Sequence, residues 1–343
     1  MRSHLRTIIV LALAAALVGL FLYRVDLLRV GAEIARARPE WLALSLATMI
    51  VNLAIRAFRW QYLLEPLGHT TFARAFRATA VGFAANSVLP ARAGEVIRPY
   101  FLARTERSRG RMSATGAFAT IVLERLLDVI TVLALLASYV FVFGRDLRLT
   151  NPVAVTWLKG IGGVAAAVAF GALVILFVLA GDPERLGRAT ERLARVVPSF
   201  AAVIARIAEK FARGLGAIRR PGRLLVALAW SFPLWLSIAA GIWAVAVAFR
   251  LMVPFTGSFV VIALLVLGVA VPTPGAIGGF HAAFRYSATA FFGAPDAAAV
   301  GAAIVLHLVS IGPSLLLGLM FAAQEGLNLT AMRRLADEQR HTA

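Results

Sequence analysis

Apolar residues run along this chain in stretches of roughly 20 positions, the length that carries an α-helix across a bilayer core. Stretches 6–23, 41–58, 113–143, 155–180, 224–249 and 297–323 each read as one full span. Two further apolar stretches are interrupted. Residues 72–103 contain NSVLPARAGEVIRP, and residues 256–292 contain VPTPGAIGG. Proline removes a backbone donor and clashes with the preceding turn, and glycine is a poor helix former, so both runs are turning points. The pattern predicts an all-α integral membrane protein of about six full transmembrane helices plus two broken segments.

Composition agrees with the pattern. Of 343 residues, 60% are hydrophobic, and the mean hydropathy is +0.83, well above that of a soluble domain. Charge then orients the spans. The net charge of +18 would suggest nucleic acid in a soluble chain, but here the basic residues cluster between spans, as the positive-inside rule expects. No nucleic-acid partner is expected. Only Lys159 and Lys210 are lysines. That bias has two readings, a GC-rich genome or a use for the bidentate guanidinium fork in binding phosphate. The absence of cysteine excludes disulfides and thiolate chemistry. The first apolar stretch lacks a small-residue cleavage site before RVDLLR and reads as an uncleaved span rather than a signal peptide.

Arg2 and Arg6, the run RTERSRGR at 104–111, the region 181–223 and Arg333 with Arg334 are the basic regions, and all four are expected in the cytoplasm. Span 41–58 then runs inward and delivers Arg56 and Arg59 to the cytoplasmic face. The segment 72–103 begins inside and must also end inside, so it enters the membrane and turns back. By the same logic 256–292 is a hairpin entering from outside. Irregular backbone at that depth is tolerated only inside protein or beside a wet cavity. Two Gly/Pro-broken segments of opposite entry, one in each half (1–150 and 224–323), match inverted-repeat transporters. Between the halves, Phe200, Val203, Ile204, Ile207, Phe211 and Leu215 fall on one helical face within 181–223. That region reads as an interfacial amphipathic helix, or as a plain surface connector. DLLRVGAEIARARPEW resembles a shorter outer counterpart, and 324–343 is a cytoplasmic tail. The whole chain reads as one transmembrane domain.

Charged residues inside apolar segments carry the candidate chemistry, because each costs at least about 2.5 kcal/mol at the bilayer centre. Glu95 lies three residues from both Arg92 and Arg98, a spacing that makes one helical stripe. With Asn86 these residues form either a structural ion cluster or an anion site, in which arginines and free N–H groups after the break face a phosphate. Glu124 and Asp128 share a face of span 113–143, with Arg125 about 100° round. They either pair with Arg92 or Arg98 or carry a coupling proton or sodium ion. After the second break, at Pro274, Gly275 and Gly278, come His281 and Arg285, four residues apart. His281 either titrates near neutral pH or binds phosphate, or it bonds another helix, the reading given to His307. No P-loop, dinucleotide fingerprint or HExxH is present. No catalytic triad, metal site or cofactor is expected.

The ordered blocks NSVLPARAGEVIRPYFLARTERS, ATIVLERLLDVI and VPTPGAIGGFH, with AIRAFRWQYLLEPLG before them, resemble the flippase-like membrane family. That family includes the transmembrane region of lysylphosphatidylglycerol synthases and flippases. The resemblance covers essentially the whole chain. It implies movement of a phospholipid or lipid-linked phosphate between leaflets. The candidate substrate site is then Asn86, Arg92, Glu95, Arg98, Glu124, Arg125, Asp128, Pro274, Gly275, Gly278, His281 and Arg285. Relatives often carry glutamate where this chain has His281. The chain ends at Ala343 without an aminoacyltransferase domain, so lysine transfer is not expected. Expected alternatives are an intramembrane phosphatase or transferase acting on a polyprenyl phosphate, and a non-transporting subunit of envelope glycolipid assembly. The expected setting is a cell inner membrane with both termini cytoplasmic; proton or sodium coupling and a homo-oligomer stay open.

Overall fold

A computed structural model describes residues 25–89, 92–106, 112–143, 221–270 and 273–325, with scattered positions at 16–22 and 153–171. All regular structure there is helical. Expected spans 6–23 and 155–180, the amphipathic helix within 181–223 and the tail 324–343 lie largely outside the described residues.

Helix α1 (Leu27–Ala35) opens on Asp26, whose side chain accepts from the N–H groups of Leu28 and Arg29 and so fills two of the orphan donors at a helix start. Helix α2 (Pro39–Leu64) begins with Pro39, whose missing N–H costs nothing at a first helical position. Its 26 residues make about 39 Å of helix. Trp41, stacked edge-on against Trp243, and Tyr62, covered by Arg223, stand about 31 Å apart along it, close to the thickness of a hydrocarbon core. Among the described residues, four segments are long and apolar enough to cross a membrane: Pro39–Leu67, Ala114–Phe143, Gly222–Ala248 and Asp296–Gln324. They coincide with four of the six spans expected. The large apolar side chains they expose, such as Leu44, Ile50, Leu308 and Leu316, fit contact with lipid tails rather than water.

The two broken segments fold as helical hairpins. In the first, α3 (Phe72–Val88) is followed by α4 (Gly94–Thr105), which packs back against it. In the second, a helix over Ser258–Ala270 leads to a short 3-10 turn at Pro274–Ala276 and a helix over Gly279–Phe292. Between the hairpins in the chain lie α5 (Ala114–Ser138), capped by the Ser113 hydroxyl, and α6 (Pro221–Ala248). The second hairpin is therefore α7 and α8, and α9 (Asp296–Gln324) follows it.

Each hairpin closes on a glycine pair. A Cβ on Gly94 would sit 1.8 Å from the Gly82 carbonyl oxygen, and one on Gly279 would sit 2.2 Å from that of Gly268. No side chain fits at either crossing, so the arms touch backbone to backbone. The hairpin tips also meet. Arg92 donates from Nη2 to the Val269 carbonyl at 2.9 Å, and the Gly275 turn lies against the Ser87 carbonyl and Ile311, halfway along α9. Helix α9 packs closely on α3, where a Cβ on Gly318 would fall 2.2 Å from the Ala80 carbonyl oxygen. At the first hairpin's open end, Glu106 accepts from Thr70 and Arg74 and ties the arms together.

These crossings make a direct prediction. Gly94→Ala forces the first hairpin apart and destabilises the protein by about 3 kcal/mol, the upper range for an overpacked contact. Gly312→Ala, where a Cβ meets nothing within 4 Å, leaves stability unchanged or slightly raised. Thermal unfolding in detergent, followed by tryptophan fluorescence, distinguishes the two.

Candidate functional site: a buried arginine–carboxylate network

The site is assembled where α2, α4, α5 and α6 meet. Arg56 and Arg59, three residues apart on α2, face Glu124 and Asp128, four apart on α5, so two helix faces of matching period and opposite charge lie together. Arg59 is fully buried at 0% exposure. Its Nη1 donates to Asp128 Oδ1 at 2.8 Å and to the Ser231 hydroxyl at 2.6 Å, and its Nη2 donates to Glu124 Oε1 at 3.3 Å. Asp128 also accepts from Trp235 Nε1 at 3.1 Å and from Arg125 at 3.3 Å, with Arg56 at 3.6 Å. The other oxygen of Glu124 takes a 2.8 Å bond from Arg98 on α4. The Arg98 guanidinium lies over the Trp60 ring, 3.8 Å from its centroid, and the indole is held by a 3.0 Å bond to Thr120.

Several expected site residues come together here in an arrangement different from the one-stripe reading. Arg92 precedes α4 and turns toward the second hairpin, Glu95 reaches across to Arg125 at 3.3 Å, and Arg98 points inward to Glu124. The expected free N–H groups after the break are occupied. Asn86 Oδ1 accepts from Gly94 N at 2.8 Å, the Arg92 carbonyl from Glu95 N, and the Ala93 carbonyl from Val96 N and Ile97 N. The start of α4 is thus capped by its own hairpin, so recognition of an anion there must come from arginine side chains. Arg56 and Arg59 are buried partners in the core, not free interfacial charges.

The second hairpin holds the remaining candidates. His281 stacks against His307 with ring centroids 4.5 Å apart, and His307 Nε2 lies 2.7 Å from the Gly275 carbonyl oxygen. Arg285 is not part of the arginine network. It makes a two-point ion pair with Asp296, at 2.6 and 2.7 Å, and donates to the Phe21 carbonyl. Pro274 and Gly278 shape the turn, with Gly275 and Gly278 at φ of 60° and 88°, conformations open to glycine.

Sequence reasoning missed Asn52, Ser231 and Trp235. Asn52 donates to the Leu234 carbonyl at 2.8 Å and accepts from Arg56 Nε at 3.1 Å, orienting that guanidinium. Its signal was present, since an amide in an apolar span rarely lacks a partner. Ser231 and Trp235 carry no comparable signal, being common in membrane helices.

Electrostatically the cluster is unbalanced. Arg56, Arg59, Arg92, Arg98 and Arg125 face Glu95, Glu124 and Asp128, an excess of two positive charges among the described residues. Arg98 Nε and Nη2 are buried without a hydrogen-bond partner. Arg98 lines a narrow cleft with room for about one water molecule, together with Gly82, Phe83, Asn86, Gly94, Glu95, Ile121 and Arg125. Unsatisfied guanidinium donors beside surplus positive charge suit an anion with several acceptor oxygens. Among the described residues no three His, Asp or Glu side chains gather as metal ligands.

Residues 7–318 match the family described as the lysylphosphatidylglycerol synthase TM region. The chain belongs to that family. The match includes both hairpins and all the network residues. The chain is also 25% identical, over 323 aligned residues, to a protein of Haloferax volcanii named glycosyltransferase AglD. The alignment covers 87% of this chain and 50% of that relative, so the chain spans about half the relative's length. Family and spans together make this a multi-pass membrane protein.

The network predicts an asymmetry between single and paired substitutions. Glu124→Gln strands Arg98, leaves Arg59 with Asp128 alone, and costs about 3–5 kcal/mol. Adding Arg98→Met removes one stranded charge and recovers much of that loss. Unfolding of both variants in detergent tests the order; equal stability of the two would contradict it.

Proposed function

We propose that this protein moves a phospholipid or lipid-linked phosphate between leaflets, with its headgroup phosphate held by Arg98, Arg125 and Arg92. The observation that carries the reading is the pair of unpartnered Arg98 donors on a cleft where arginines outnumber carboxylates. The phosphate would be neutralised there while lipid tails remain in the bilayer. Arg125 supports the exchange, because its contact to Glu95 is close at 3.3 Å yet too poorly aligned for a hydrogen bond, leaving Nε free to turn to a ligand.

Translocation also needs backbone that can move at mid-depth, and the hairpins supply it. Helices of 12 to 17 residues are about 18–26 Å long, short of a full crossing of about 30 Å. Their tips meet at the middle of α9, a helix long enough to cross. Both features favour two re-entrant hairpins of opposite entry, the first from the cytoplasm, arranged as an inverted repeat. The matching glycine pairs at the two crossings support that symmetry. On this reading the protein is a translocase of a cell inner membrane with cytoplasmic termini, not a chemical catalyst.

A second reading has its own support, since the Haloferax volcanii relative is named a glycosyltransferase. An enzyme acting on a polyprenyl phosphate would depend on Glu95, because both oxygens of Glu124 and Asp128 already accept from or pair with arginines. A third role, as a non-transporting subunit, would be read in stable co-purification and inactivity alone.

Proteoliposomes separate these readings. Arg125→Gln should slow movement of a fluorescent phosphatidylglycerol by about tenfold or more, the loss of one charge-assisted contact of about 1.5–3 kcal/mol. Arg125→Lys should recover part of the rate. Unchanged rates in both would sink the proposed site. Release of inorganic phosphate from a polyprenyl phosphate, abolished by Glu95→Gln, would favour the enzyme.

A further inference from the structure

The carboxylates of the core leave little room for proton coupling. Each oxygen of Glu124 and Asp128 is held by at least one guanidinium, so protonating either would leave buried arginines uncompensated. The other groups at this depth that titrate near neutral pH in water are imidazoles. Two of them, His281 on α8 and His307 on α9, lie with ring centroids 4.5 Å apart at the turn of the second hairpin. Phe21 and Phe280 flank them, at 5.1 Å from His281 and 5.0 Å from His307. Both rings bond to the backbone of the turn. His307 Nε2 lies 2.7 Å from the Gly275 carbonyl oxygen, and Gly278 N points at His281 Nδ1 at 3.4 Å.

We infer that the His281–His307 pair is a proton-binding site that couples proton movement to the hairpin tips, an inference that rests on the translocation reading. The hydrogen-bond roles set the chemistry. A ring that donates to a carbonyl carries a proton on Nε2, so a neutral His307 has Nδ1 as its open acceptor. A ring that accepts from Gly278 N has its lone pair on Nδ1, so His281 carries its proton on Nε2. A proton added to His281 goes to Nδ1 and turns that acceptor into a donor. Gly278 N loses its partner, and the start of α8 is uncapped beside the Gly275 turn that touches Ser87 and Ile311. A proton added to His307 at Nδ1 leaves its bond to Gly275 in place and strengthens it by charge. Two imidazolium rings at 4.5 Å repel, so the pair takes one proton. Its location on one ring or the other releases or tightens the contact between the hairpins.

Among the described residues, the surrounding charges are engaged. On α8 itself Arg285 is bound to Asp296, at the head of α9, and to the Phe21 carbonyl. Asp26, beyond Phe21, caps α1 and pairs with Arg29. Arg92, at the first hairpin's tip, donates to Val269, and α7 carries no charged residue. The histidine pair is therefore the titratable element of this tip.

Two measurements test the pair. The first is nitrogen NMR of histidine-labelled protein in nanodiscs, with signals assigned from His281→Gln and His307→Gln. The two rings are expected to take up one proton between them, each variant shifting the titration of the ring that remains. Two rings that stay neutral across the accessible pH range, or titrate independently, would overturn the inference. The second is movement of fluorescent phosphatidylglycerol in proteoliposomes under an imposed pH gradient. The wild-type rate should change by up to about tenfold per pH unit, the limit for one proton. The double variant His281→Gln/His307→Gln should move lipid at a rate independent of the gradient. A double variant that still follows the gradient as the wild type does refutes the coupling. A wild type that moves no lipid while its rings still share one proton defeats the translocation reading and leaves the proton site supported.

Discussion

Ionised groups buried between membrane helices must neutralise one another, and that requirement organises the protein. Taking a guanidinium or carboxylate out of water costs several kcal/mol, recovered only where geometry and hydrogen bonding are good on both sides. Glu124 meets the condition by accepting from Arg59 on one oxygen and Arg98 on the other, which joins α2, α5 and α4. Asp128 does the same for α2 and α6, through Arg59 and Trp235. Neither carboxylate could be placed without both flanking helices, so the network fixes helix order and also docks the first hairpin. The hydrophobic effect offers no comparable specificity here, because lipid tails and leucine side chains are equally apolar.

Close backbone approach is the second organising device, and it complements the first. Charge pairing holds α4 against the bundle at Arg98, while the Gly82–Gly94 crossing holds it against α3 one turn nearer the tip. The second hairpin has the glycine crossing, the contacts of Gly275 and His307, the Arg285–Asp296 ion pair to α9 and apolar packing of Phe259, Ile262, Phe284 and Phe291, with no ion pair between its own arms among the described residues. The two hairpins therefore differ in how firmly they are held. The first is cross-linked by full charges at its base and middle, through Glu106 and Glu124. The turn of the second is held by hydrogen bonds of two imidazole rings, while its outer arm is tied to α9 by the exposed Arg285–Asp296 pair.

Much of this was legible in the chain. Apolar runs located the described long helices, and Gly/Pro clusters located both turns, because length and backbone chemistry are local properties. Arg98, Glu124, Arg125 and Asp128 were also found, since a charge in an apolar run stands out, and the Glu124–Arg98 pair was among the pairings expected. The partners of Asp128 were not. Arg56 and Arg59 end an apolar run and so looked like interfacial charges, and only the docking of α5 alongside shows them buried. The N–H groups at the start of α4 looked available because their acceptor, Asn86, lies eight residues back across a turn. Pairing depends on tertiary neighbours, which a single sequence does not contain.

The unequal count of arginines and carboxylates gives the translocation reading a physical basis. A cluster already neutral would gain nothing from an incoming phosphate, which would instead add an unpaired buried charge. A cluster with surplus arginine is stabilised by an anion, provided a guanidinium can be reached without breaking an existing pair. Arg59 cannot serve, because its bonds to Glu124, Asp128 and Ser231 occupy both terminal nitrogens. Arg98 is better placed, because one terminal nitrogen holds Glu124 while Nη2 and Nε, though buried, remain without a partner. Trp60 backs that guanidinium at 3.8 Å and favours its charged form. An anion bound there is neutralised without dismantling the pair that docks the hairpin, which lets the same arginine serve both the fold and the proposed site.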